Sequence, residues 1–154
     1  MSVSSAVHST SPESPRNALC KLAAVCGLLL GFFLTLGAYG HFGAVWADIW
    51  QSDTALQRRI LLMLPGLMLA ATAALNILFS KPLWEARGYA LNIGLIGNLL
   101  TAAYLAYLLV RGVPDHPIGV FLTMETSYVI LLAGIRAGLV WPVVTKPATD
   151  GKSS

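Results

Sequence analysis

Glu125 is the first residue of this chain from which chemistry can be asked. It lies inside a long apolar stretch, with Tyr128 at i+3, Leu132 at i+7 and Arg136 at i+11. On a helix, eleven residues return to within ~20° of the starting azimuth, so Glu125 and Arg136 share one face. They are ~16 Å apart along the axis, too far for a direct pair. A carboxyl group in apolar surroundings has two main uses: it hydrogen-bonds to a neighbouring helix and locks it, or it binds and releases a proton or small cation.

His41 is the second titratable group in an apolar stretch. On a helical wheel it falls within ~40° of Gly27, on the side that also carries Gly31. Gly27 and Gly31 allow a neighbouring helix to approach closely, so His41 is expected to face protein. In depth it matches the outer half of the chain's spans, together with Glu125, Tyr128, Tyr104 and Tyr107. These five residues are the candidate intramembrane polar site, and a His41–Glu125 contact is open. The plainer alternative is a histidine bonded to backbone or water at the interface. Arg136, Asn76 and Asn92 form a second, inner polar group. Arg136 either snorkels to the headgroups or takes Asn76, Asn92 or Glu85 as a partner.

The same residues exclude a good deal. A lone membrane histidine provides neither a bis-histidine haem pair nor a His-x-x-x-His metal site. There is no P-loop, Gly-x-Ser-x-Gly, His-Glu-x-x-His or dinucleotide fingerprint. No catalytic residue, metal or cofactor is therefore assigned, and a non-enzymatic role is expected. Asp48, Asp53 and the Asp115-His116-Pro117 run read as solvated loop residues. Cys20 and Cys26, six residues apart, point to different helix faces and read as reduced, packed thiols.

The elements that must position these groups are transmembrane helices. Uncharged stretches 22–47, 60–80 and 88–110 each exceed the roughly 18–20 residues that span a bilayer core. A fourth, from about Ile118 to Val144, holds Glu125 and Arg136. Hydrophobic residues make up 56% of the 154 and charged residues 11%, whereas a soluble domain carries about 25% charge. The fold class is all-α: a four-transmembrane-helix bundle with short loops. The expected organisation is a disordered cytoplasmic tail 1–17, a four-span membrane domain 18–144 and a short disordered cytoplasmic tail 145–154. Pro82 is expected after the second span, and Pro65 within it.

Four spans put both termini on one side. Arg16, Lys21, Lys81, Arg87, Lys146 and Lys152 lie on that side, against Arg58, Arg59 and Arg111 on the other. That excess places both termini in the cytoplasm of a bacterial-type inner membrane. Trp46 and Trp50 then mark the outer interface, Trp84 and Trp141 the inner one. The sequence pI of 9.1 is a topology signal and not a nucleic-acid surface. Gly134 and Gly138 lie opposite Glu125, so the fourth span is either central or meets a homo-oligomer or membrane-protein partner.

The function these features suggest is a small multi-pass inner-membrane protein, an accessory subunit or a binder of a small apolar ligand. A proton-coupled transporter using Glu125 is the alternative, and a membrane-embedded enzyme is third. The lipid bilayer is the one assured partner. Reporter fusions after residue 154 and within 80–88 should read cytoplasm, and fusions within 48–57 and 112–117 the outside. A C-terminal reporter active only outside would reverse the orientation.

Overall fold

A computed structural model describes residues 14–51, 55–112 and 116–138. Among them the chain forms four helices: α1 Pro15–Trp50, α2 Leu56–Trp84, α3 Gly88–Val110 and α4 His116–Arg136. All four are long and apolar enough to cross a membrane. The protein is an all-α, four-helix membrane bundle. The sequence-based readings that rest on residues 1–13, 145–154, Asp53, Pro114, Asp115 and Trp141 lie outside the described residues, as does the His116 side chain.

Local chemistry sets the helix ends, and it moves several expected boundaries. The α1 helix starts within the stretch read as tail, because Pro15 suits the first turn and the Ser14 side chain accepts a hydrogen bond from Asn17 N–H at 3.4 Å. At its other end, Arg59 Nη2 donates to the Gln51 carbonyl at 2.9 Å, satisfying a carbonyl that the finished helix leaves open. Pro82 does not follow α2 but lies inside its last turn, where its missing N–H costs a single intrahelical bond. Pro65 is also inside α2, which continues past it. The turn to α3 places Ala86 at φ 56°, a left-handed position that glycine usually fills. The α4 helix stops at Arg136, short of the expected 144, because Gly138 takes φ 67° and Ala137 N–H closes on the Ala133 carbonyl at 2.9 Å.

The helices form a closed square. Each packs on two neighbours, in the order α1–α2–α3–α4–α1, and the α1–α2 contact is the most extensive. The α4 helix is therefore not central. Close contacts register each pair. Gly31 of α1 faces Ala73 and Asn76 of α2, and Asn76 pairs with Asn98 of α3. Gly94 of α3 meets Leu132 of α4, while Phe121 and Tyr128 of α4 meet Gly37 and Gly27 of α1. Carried through this antiparallel register, one level runs from Gly31 through Ala73 and Thr101 to Glu125 and back to the Gly31 region. The level cuts every helix near its middle. Because α1 and α2 exceed the other two in length, their ends around Trp46, Trp50 and Arg59 project beyond α3 and α4.

Glycine makes the closest approaches possible. A Cβ on Gly31 would lie 3.1 Å from the Ala73 carbonyl oxygen and 3.0 Å from Ile77, so α1 and α2 meet almost backbone to backbone. Gly27, four residues earlier, serves a different neighbour: the Tyr128 ring of α4. The core is small residues and leucine, with Ala23, Leu34 and Leu132 fully buried. Outward faces carry Leu29, Phe32, Leu78 and Ile130, all more than half exposed, which is a lipid-facing surface. Cys20 and Cys26 are both free thiols.

Gly31→Leu should therefore force α1 and α2 apart and cost about 3 kcal/mol. At Gly134 nothing lies within 4 Å of the added carbon, so Gly134→Leu should shift stability by less than about 0.5 kcal/mol. Thermal unfolding of the two variants in detergent measures the contrast.

Candidate functional site

The level that cuts all four helices at mid-height is also where the described chain buries its polar side chains. Thr72 and Asn76 of α2, Asn98 and Thr101 of α3, and Glu125 of α4 are the buried polar or charged residues among those described. They reach one level because of their spacing. Thr72 and Asn76 are four apart, and Asn98 and Thr101 three apart, so each pair lies on one face of its helix.

Four of the five satisfy one another. Thr72 and Thr101 share a hydroxyl–hydroxyl bond of 2.5 Å. Asn76 Nδ2 donates to Asn98 Oδ1 at 2.9 Å, and Asn98 Nδ2 donates back to Asn76 Oδ1 at 2.9 Å. Asn98 Nδ2 also donates to the Gly94 carbonyl at 2.6 Å. This double amide bond clamps α2 to α3, and interhelical bonds of this kind contribute roughly 0.6–2 kcal/mol each in a membrane.

Glu125 is the exception. Its side chain is fully buried, and neither carboxylate oxygen has a hydrogen-bond partner among the described residues. The bond that a helix-locking Glu125 would use is not made to any described residue. Glu125 also sits near the middle of α4 rather than high in a span ending at 144, since the helix ends at Arg136. By register it stands level with Thr101, whose hydroxyl is engaged with Thr72. An ionised carboxylate here would be a bare charge in apolar surroundings, at a cost of several kcal/mol. Among the described residues no three His, Cys, Asp or Glu side chains gather.

The other candidates fall into separate places. Tyr128 is buried one turn from Glu125, and its hydroxyl donates to the Ala23 carbonyl of α1 at 3.1 Å. Tyr104 is half-buried one turn from Thr101. Tyr107 faces outward, where Arg111 Nε donates to its hydroxyl at 3.0 Å. His41 does not meet Glu125. Its Nε2 bonds the Leu62 carbonyl of α2 at 2.8 Å, beside the turn that Pro65 disturbs, about 14 Å along the axis from the Glu125 level.

The inner polar group also divides. Arg136 Nη1 donates to Asn92 Oδ1, both exposed at one end of the α3–α4 pair. Asn76 is taken by Asn98, and Glu85 pairs with Arg87 at 3.3 Å. Of the packing glycines, Gly27 faces Tyr128 and Gly31 faces α2, whereas Gly134 has nothing within 4 Å. Gly138 is not a helix-packing residue: its left-handed φ of 67° ends α4 and removes it from any helical stripe.

Sequence reasoning missed Thr72, Asn98, Thr101 and Gly37. The signal for the first three was present as i, i+3 and i, i+4 polar pairs within otherwise apolar helices, which place two polar side chains on one face.

Asn98→Leu should strand the Asn76 amide and destabilise the bundle by about 1–3 kcal/mol. Replacing both residues, Asn76→Leu with Asn98→Leu, should recover part of that loss because no polar atom is left unpaired. A double-mutant cycle on thermal unfolding reads the difference.

Comparison with known proteins returns no likeness: no protein-family model, no curated protein and no solved structure matches this chain.

Proposed function

We propose that this membrane protein is a small proton-coupled carrier in which Glu125 is the proton-binding group. One observation carries the reading: a fully buried carboxyl at mid-height of the bundle with both oxygens unpartnered. A chain serving only as a lipid-embedded accessory has no use for such a group, because a buried polar side chain without a partner costs stability and contributes no packing specificity. Its neighbours in level, the Asn and Thr pairs, are already satisfied by each other. No described residue supplies a partner for Glu125, and a proton is the smallest partner that fits there.

The packing supports a route to it. The α1–α2 contact is backbone-close at Gly31, whereas α4 rests on α1 through aromatic rings set against Gly27 and Gly37. Rings on glycine slide or tilt with less disruption than two backbones in contact. Movement of α4 on α1 would open the Glu125 level to water from one end, and closure would isolate it again, as carriers with mid-membrane sites require. The setting belongs to the same proposal: a bacterial-type inner membrane with both termini cytoplasmic.

Purified protein subjected to a pH step should take up a proton reversibly, with a carboxyl infrared band that Glu125→Gln removes while helical content stays intact. In proteoliposomes the same variant should abolish pH-driven uptake of solute. If Glu125→Gln and Glu125→Ala both fail to fold, and the parent shows no titrating carboxyl, the residue is structural and the carrier reading fails.

A further inference from the structure

Two aromatic rings bracket Glu125 along α4. Phe121 stands four residues before it and Tyr128 three after, both about 40–60° round the helix on the side that meets α1. Each ring fills the space of a side chain that α1 lacks, Phe121 against Gly37 and Tyr128 against Gly27. Between those glycines, Leu30 and Leu34 continue the same face of α1 at i+3 and i+7 from Gly27, and both are buried. The α1–α4 seam is thus closed by one ring on either side of the Glu125 level, about 10 Å apart along the axis.

The two closures are unequal. Tyr128 is buried, and its hydroxyl donates to the Ala23 carbonyl at 3.1 Å. Past it the core continues through Leu132 and Ile135 of α4 and Cys20 and Ala23 of α1, all buried. Phe121 is half-buried and cannot make a hydrogen bond. Past it, Ile118 is the one buried residue of α4 among those described. On α1 the chain beyond Gly37 turns to the other neighbour: His41 bonds the Leu62 carbonyl of α2, and His41 and Phe42 lie against Gly66 of α2. The wall also differs in depth. Phe121 is about 8 Å along the axis from the start of α4, whereas Tyr128 is about 12 Å from its end at Arg136.

We infer that Phe121 is the gate through which Glu125 exchanges its proton with water, from the end where α4 begins, and that Tyr128 is the lock on the opposite side. The inference rests on the carrier reading of Glu125 and gives that reading a direction. Opening needs the Phe121 ring to leave the Gly37 notch and turn toward the lipid it already half faces. Opening past Tyr128 would break a buried hydrogen bond and part the layers behind it, which costs more.

Infrared spectra of the full chain, followed after transfer from water to deuterium oxide, read the exchange of the Glu125 carboxyl proton, with Glu125→Gln identifying the band. Phe121→Ala should speed that exchange roughly tenfold, because opening no longer has to unseat a ring. Tyr128→Phe removes the Ala23 bond but keeps the ring, and should leave the rate within about twofold. If Phe121→Ala loses helical content, Phe121→Leu takes its place with the same direction expected. An unchanged rate in the Phe121 variants, or a faster one in Tyr128→Phe than in either, overturns the gate while a titrating Glu125 still stands. A missing Glu125 band removes the carrier reading instead. Sidedness gives a second measurement. In proteoliposomes of the chain with Cys20→Ala and Cys26→Ala, Leu34→Cys should react with a membrane-impermeant thiol reagent from the side where α4 begins. Reaction from the side of the termini, or from both sides alike, refutes the assigned direction.

Discussion

Hydrocarbon offers no hydrogen bonds, and this structure is organised around that fact. Backbone groups are satisfied within each helix, which is why the described chain is helical nearly throughout. Side chains have no such automatic solution. The bundle solves the problem pairwise, Thr72 with Thr101 and Asn76 with Asn98, and so joins α2 to α3 by polar bonds at the level where water is furthest away. Glu125 stands at that level without a hydrogen-bond partner among the described residues. Its position has meaning only because its neighbours are so completely paired.

Two kinds of helix contact follow from small residues, and they differ in what they permit. Gly31 lets α1 approach the Ala73 carbonyl so closely that a single added carbon would crowd it. Such a contact is rigid, since neither backbone can yield without breaking its own helix. Against α4, the same helix presents Gly27 and Gly37 to the aromatic rings of Tyr128 and Phe121. Here the Tyr128 hydroxyl donates to the Ala23 carbonyl, a polar restraint from an α4 side chain to α1. One helix thus serves as a fixed partner on one face and as a bearing surface on another.

Glu125 apart, the basic residues Lys21, Arg59, Arg111 and Arg136 lie toward the helix ends and are engaged locally. Arg59 closes the end of α1, Arg111 sits on Tyr107, Arg136 meets Asn92 and Lys21 covers Trp84. In these four contacts the groups met are a backbone carbonyl, two aromatic side chains and an amide. This suits a wet interface, where a cation needs only partial compensation and where Trp and Tyr rings are themselves stable. The overhanging ends of α1 and α2, with Trp46 and Trp50 stacked edge to face 5.6 Å apart, extend the same pattern beyond the shorter pair.

The sequence by itself determined the membrane class, the helix count and the type of every element. Hydropathy summed over some twenty residues is a local property, and a helix satisfies its backbone through local bonds, so neither needs knowledge of the neighbours. Boundaries were legible to within a few residues except at the start of α1, which begins at Pro15 ahead of the uncharged stretch, and at the end of α4, where Gly138 read as a packing glycine although its left-handed backbone ends the helix. Only the tertiary structure decided which polar residues meet. Asn76 lay within reach of Arg136 by depth alone, yet the rotation of α2 against α3 gives it to Asn98. His41 shared a half of the membrane with Glu125, yet the long α1–α2 register carries it to the Leu62 carbonyl. The isolation of Glu125 is decided in the same way. Whether a buried group has a partner depends on the register and rotation of three other helices, and no spacing along its own helix contains that information.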